Sequence, residues 1–194
     1  MVIVSDLDGV VFNSENIVRC EAELYDILNY KGSGIKVQDK FTTYKCYGWT
    51  ESQIDEYEKY IYPDVGYYCV AMPGAKKVLQ ILRDRNHTIF AVTKRGFFGQ
   101  SEIDLTDKKL EEEGLVFEKV IYNQSNKVKT CLELKADVVI EDNYEHINAL
   151  IKEGIKCIYL RDVCQPPIDS ELVVEVHNWG EILRQILLLE GKND

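Results

Sequence analysis

The chain has 194 residues, 45% of them hydrophobic, enough for one α/β domain carrying a modest insertion. Its formal net charge of −10 repels polyanions and argues against a nucleic acid polymer as partner. No apolar run approaches a membrane span, and Asp6 and Asp8 interrupt the only early apolar stretch, so neither a membrane segment nor a signal peptide is expected.

Val2-Ile3-Val4 is β-branched and apolar and predicts a buried strand. It delivers Asp6-Leu7-Asp8-Gly9, and Asn13-Ser14-Glu15 then reads as a helix start. Apolar spacing predicts a helix over 15–30, broken by Lys31-Gly32-Ser33-Gly34. A second helix is expected over 37–46. Thr50, with Gln53 at the reciprocal capping-box position, starts a third. That helix is acidic and tyrosine-rich and is expected to end near Tyr62, before Pro63. Residues 13–70 therefore read as a small helical insertion.

Met72-Pro73-Gly74 restarts the main fold and leads into an amphipathic helix bearing Val78, Leu79, Ile81 and Leu82. The stretch 87–92 reads as a core strand that delivers Thr93-Lys94-Arg95-Gly96. A helix to Glu113 follows, with Gly114 just past its end. Val120-Ile121 is a short strand, and Ser125 caps a helix through Leu134. Val138-Val139-Ile140 is a buried strand ending in Glu141-Asp142-Asn143. A helix to Glu153, a strand over 157–160, an extended piece over 172–176 and a helix over 180–190 complete the chain.

This alternation predicts a doubly wound, mostly parallel Rossmann-like sheet with helices on both faces. Residues 1–12 and 71–194 would form the core domain. The six cysteines (Cys20, Cys46, Cys69, Cys131, Cys157, Cys164) are scattered, with no C-x-x-C pair. That fits reduced thiols in the cytoplasm better than a zinc site or a disulfide scaffold.

Polar residues gather where three strands end: Asp6 and Asp8, Thr93, and Glu141 and Asp142. Asp6 and Asp8 share a face if the chain is extended there. Two close carboxylates repel unless a cation or a shared proton intervenes, and Gly9 permits a sharp turn and close approach of a ligand. A calcium loop is excluded, because Ile17 stands where that loop needs a glutamate. Each residue also has a bland reading: a solvated turn, a strand-end threonine, a first-turn lysine at 127, helix N-terminal acids at 141 and 142. The histidines His87, His146 and His177 read as structural or surface groups.

With these residues in order, the chain resembles the haloacid dehalogenase-like (HAD) superfamily of phosphohydrolases. Asp6-Leu7-Asp8-Gly9-Val10 is similar to the nucleophile motif and Thr93 to the second motif. Lys127 matches the third-motif lysine, and Ile140-Glu141-Asp142-Asn143 resembles the acidic fourth motif. The resemblance implies that Asp6 is the nucleophile and Asp8 the general acid and base. It implies phosphate contacts from Thr93, Lys94, Lys127 and the turn at Gly9. It implies Mg²⁺ held by Asp6, the Asp8 backbone carbonyl and Asp142, with Glu141 reaching it through water. The insertion becomes a cap over the site.

Thr93-Lys94-Arg95, Thr106, the stretch 113–119 and Asn178-Trp179-Gly180 are similar to bacterial nucleotidases related to the 5′(3′)-deoxyribonucleotidases. Lys94 stands where those proteins carry a small residue, and Phe12-Asn13-Ser14-Glu15 is closer to sugar-phosphate phosphatases. The expected partner is a small phosphorylated substrate, a nucleotide or alternatively a sugar phosphate, acted on by a monomer or homodimer. A catalytically silent binding protein on the same fold is the reading from another class. Arg95 is a candidate substrate or phosphate contact. Tyr47 and Trp49 flank Gly48 in an expected loop and are candidates to stack a nucleobase.

Overall fold

Six parallel strands form one sheet in the order β3-β2-β1-β4-β5-β6. They are β1 (Val2–Ser5), β2 (Thr88–Val92), β3 (Lys119–Ile121), β4 (Val138–Glu141), β5 (Cys157–Leu160) and β6 (Val173–Val176). The computed structural model describes residues 1–32, 34, 46–162 and 165–191, with the backbone alone at 62 and 63. The helix expected over 37–46 lies outside them apart from Cys46, as does Cys164.

The centre of the sheet is apolar because both of its faces are covered. Ile3 packs into one cluster with Leu79 and Leu82 of α3 (Ala75–Asp84), Leu110 of α4 (Gln100–Glu113), and Trp179 and Ile182 of α7 (Trp179–Glu190). Its neighbour Val4 points the other way. It joins Cys131 of α5 (Lys127–Leu134) and Ile147 and Leu150 of α6 (Tyr144–Lys152). This is the doubly wound arrangement, and its chain reverses between β1 and β4, the place where open α/β sheets bind ligands. Parallel register puts Ser5 beside Ala91 and Ile140. The residues just beyond, Asp6, Thr93 and Glu141, therefore emerge together at the carboxyl edge.

The residues between β1 and α3 contain α1 (Ser14–Tyr30) and α2 (Glu51–Tyr68). These helices share a cluster of their own: Ala22, Tyr25, Tyr47, Trp49, Tyr57, Ile61 and Val65. Thr50 and Gln53 make the expected capping box. The end of α2 is a correction. The helix does not stop at Tyr62 but continues through residue 63 to Tyr68. A proline there removes one helical hydrogen bond, a cost of about 3 kcal/mol. Tyr57, Ile61 and Val65 recur at four-residue intervals on both sides of it and are buried, which keeps the helix running.

Two chain crossings join this insertion to the sheet, and they pair with each other. Phe12 and Ala71 form an antiparallel bridge. Met72 donates its N–H to the Val11 carbonyl at 2.7 Å, and Asn13 to Val70 at 2.9 Å. No described helix is long and apolar enough to cross a membrane.

Candidate active site

Asp6 is the first residue beyond β1. Its N–H donates to the Ile140 carbonyl at 3.0 Å, which continues the ladder and holds the backbone. Oδ1 accepts the Leu7 N–H at 2.7 Å, and Oδ2 lies 2.5 Å from Lys127 Nζ. Lys127, the first residue of α5, also donates to Glu141 Oε2 at 2.8 Å. All three side chains are buried. Burial pushes the Asp6 carboxyl up to about 7, Glu141 adds to the push, and Lys127 opposes it. Burial would also raise Glu141, but Lys127 and then His146 outweigh it and hold Glu141 below the usual carboxylate range. For Lys127 burial works downward, and the two carboxylates keep it above the ordinary ammonium range.

Asp8 has a separate partner. Arg95 donates Nη2–H to Asp8 Oδ1 at 2.7 Å and Nε–H to Oδ2 at 2.9 Å, a two-pronged ion pair. Burial favours a protonated Asp8, yet the guanidinium prevails and holds the carboxyl below its ordinary value. Arg95 is only 3% exposed. Its Nη1–H donates to Thr106 Oγ1 at 3.3 Å, and its guanidinium lies 4.9 Å from the centroid of Phe12. This geometry buries Arg95, the expected substrate or phosphate contact, against Asp8.

Gly9 takes φ +71, and Asp142 packs directly against it. Its N–H is engaged by the Phe12 carbonyl and by Ser14 Oγ, both at 3.0 Å. The turn therefore commits this amide internally, and Gly9 serves the site by lacking a side chain. Asn143 caps α6 by accepting the Glu145 and His146 amides. Its own N–H donates to Glu141 Oε1 at 3.1 Å, and His146 Nδ1 stands 3.4 Å from that oxygen.

The donor set fits a hard divalent cation. Asp6, Asp8, Glu141 and Asp142 bring four carboxyl groups to one edge, against the buried cations Lys127 and Arg95. Burial and then the charges of Glu141, Asp6 and Glu15 push Asp142 well above its usual value. Oxygen donors of this kind suit Mg²⁺. Ligand atoms of Asp6, Glu141 and His146 also lie within 4.8 Å of one another.

Thr93 is buried beyond β2, and its Oγ1 accepts the Arg95 N–H at 3.1 Å. Accepting there leaves its hydroxyl proton to donate elsewhere. Lys94 is exposed, with Nζ 5.5 Å from the centroid of Phe97. Tyr47 and Trp49 are corrected. They do not stand in an open loop but are buried in the insertion's cluster, stacked on each other at 4.6 Å. The Trp49 indole N–H donates to Asp26 Oδ1 at 2.8 Å, so its polar edge is also taken. Two participants escaped the sequence reading, the Arg95 clamp on Asp8 and His146. For His146 the sequence carried no signal, because its partner Glu141 lies on β4 and His146 on α6, and only the turn between them brings the two together.

The fold is that of the haloacid dehalogenase-like hydrolases. A conserved protein of that kind from Agrobacterium tumefaciens, of unknown function, superposes with a TM-score of 0.69 at 14% identity, covering 97% of this chain and 98% of that one. A haloacid dehalogenase-like family hydrolase from Streptococcus pneumoniae gives 0.66 at 14% identity, covering 95% and 97%. CbbY from Rhodobacter sphaeroides, solved in complex with phosphate, gives 0.61 at 10% identity, covering 93% and 95%. No family model and no curated protein matches the chain.

Proposed function

We propose that the chain is a Mg²⁺-dependent phosphomonoester hydrolase working through an aspartyl-phosphate, with nucleoside monophosphates as its substrate class. The observation that carries this reading is the Asp6 carboxylate, held at the switch point between Lys127 and the Glu141–Asp142 pair. An Asp6 oxygen attacks phosphorus, the ester P–O bond breaks, and Asp8 gives a proton to the leaving oxygen. Asp8 must first take up that proton, which loosens its pair with Arg95. In the second half, the Asp8 carboxylate takes a proton from water, the water oxygen attacks phosphorus, and the bond to Asp6 breaks to release phosphate. Lys127 and the Thr93 hydroxyl stabilise the transferring oxygens. Asp6, Asp142 and the Asp8 carbonyl would hold a divalent cation, with Glu141 reaching it through water, and the cation would supply charge that keeps Asp6 ionised and screens the phosphate. Residues 13–70 act as the cap, and the scattered cysteines support a cytoplasmic location.

The nucleotide reading rests on the sequence likeness around Thr93-Lys94-Arg95. It draws further support from Phe97 and Phe98, whose exposed rings stand on the loop leaving Thr93 and offer a face to a base. A sugar phosphate is the second reading, favoured by the burial of Tyr47 and Trp49. A phosphate-release screen over nucleoside monophosphates and sugar phosphates, with Mg²⁺ and with chelator, tests both. The expected result is Mg²⁺-dependent release that is fastest from nucleotides. Preference for sugar phosphates would replace the substrate class. Release undiminished by chelator would overturn the Mg²⁺ requirement, and release from no ester would overturn the enzyme reading.

A further inference from the structure

The two crossings into the insertion meet at one side chain. Arg95 lies over the ring of Phe12, which belongs to the first crossing. Its Nη2 also reaches Cys69 Sγ at 3.6 Å, and Cys69 opens the second crossing at the end of α2. The crossings are hydrogen-bonded to each other through Val11–Met72 and Asn13–Val70. From the far side Thr106 holds Nη1, and its own hydroxyl donates to the Glu102 carbonyl at 2.8 Å. The Asp8 carboxylate accepts from Nε and from Nη2, with about a third of its side chain exposed. A guanidinium is planar and rigid, so a tilt imposed at Phe12 or Cys69 is delivered to Asp8.

We infer that Arg95 is a positioning residue through which the seating of α1 and α2 sets the orientation of the Asp8 carboxylate. The inference rests on Asp8 being the acid and base proposed above. It assigns the arginine to the insertion's two crossings rather than to the substrate. Because the two crossings are hydrogen-bonded to each other, a change in how α1 and α2 seat would shift Phe12 and Cys69 together. The guanidinium would follow and turn the Asp8 carboxylate with it.

The leaving group supplies the test. 4-Nitrophenolate departs easily and needs little help from an acid, whereas phenolate needs a well-placed one. Rates are measured on 4-nitrophenyl phosphate and phenyl phosphate with Mg²⁺. Arg95→Lys keeps the charge and loses the two-pronged grip. Its kcat should fall about tenfold on the first ester and about a hundredfold on the second, with KM nearly unchanged. Cys69→Ala, a change on the insertion side that touches no reacting group, should show the same bias at about threefold. If Arg95→Lys does not fold, Thr106→Val removes only the hydroxyl that steadies Nη1 and carries the same comparison.

Equal losses on the two esters would reduce Arg95 to a structural ion pair. A rise in KM with kcat intact would make it a substrate contact. A Cys69→Ala variant with no leaving-group bias would sever the link to the crossings. Each of these results requires an active wild type. A wild type inactive on both esters would instead sink the phosphatase reading on which the inference rests.

Discussion

Asp142 lies so close to the backbone of Gly9 that a Cβ there would stand 1.9 Å from its Oδ2 and 2.6 Å from its Cγ. The glycine's left-handed φ also disfavours any other residue. Gly9→Ala should therefore push Asp142 out of place and strain the turn after β1. We expect turnover to fall about a hundredfold and the Mg²⁺ concentration needed for half-maximal rate to rise. Kinetics over a Mg²⁺ titration check this, and a variant matching wild type in both would remove Asp142 from the site.

Asp6→Asn should end turnover, because an amide is a poor nucleophile. The same change should stabilise the metal-free protein. Burial and Glu141 push the Asp6 carboxyl from 3.8 up to about 7. Between those values the folded state keeps a proton that the unfolded state has released, so this group's contribution to stability falls as pH rises from about 4 to 7. At pH 8 in chelator the variant should be more stable by on the order of 2 kcal/mol. Thermal unfolding across pH tests it, and a lower melting temperature for the variant at pH 8 would contradict the assignment.

Lys127→Met keeps much of the side chain's volume and removes the charge shared by Asp6 and Glu141. Two buried carboxylates then face each other without a cation. Breaking a buried pair in this way costs roughly 3–5 kcal/mol. Urea unfolding of the metal-free protein should show that loss, and added Mg²⁺ should recover part of it. Stability equal to wild type would mean that water reaches the pair.

Tyr47→Ala and Trp49→Ala should behave as core truncations. Both rings are buried, and Trp49 also bonds Asp26, so each change should cost about 3–5 kcal/mol in the stability of the insertion. Catalytic efficiency should fall by a similar factor on nucleotides and on aryl phosphates. A loss confined to nucleotides would restore the stacking role that their burial denies them.

The strands and most helix ends were legible in the sequence because their signals are local. Val2-Ile3-Val4 and Val138-Val139-Ile140 are apolar runs that only a doubly covered strand accommodates, and both are fully paired in the sheet. Gly114 ends α4 in the left-handed conformation that its position predicts. Thr50 and Gln53 lie three residues apart and find each other without help from the rest of the chain. The meeting of Asp6, Thr93 and Glu141 followed from topology alone, since parallel neighbouring strands must end on one edge.

Tertiary structure alone chose the partners of the charged groups. Asp8 and Arg95 are 87 residues apart, and nothing in either stretch says that this arginine turns inward to clamp a carboxylate rather than outward to a ligand. Pro63 marks a helix end by local rules, yet α2 continues because Ile61 and Val65 are buried on both sides of it. Tyr47 and Trp49 flank a glycine, which locally means a loop, but the helices beside them had an apolar face to fill. Backbone propensity and hydrophobic period act over a few residues and can be read along the chain. Burial, and the choice of a counter-ion once a charge is buried, depend on which distant surfaces meet, so only the folded chain decides them.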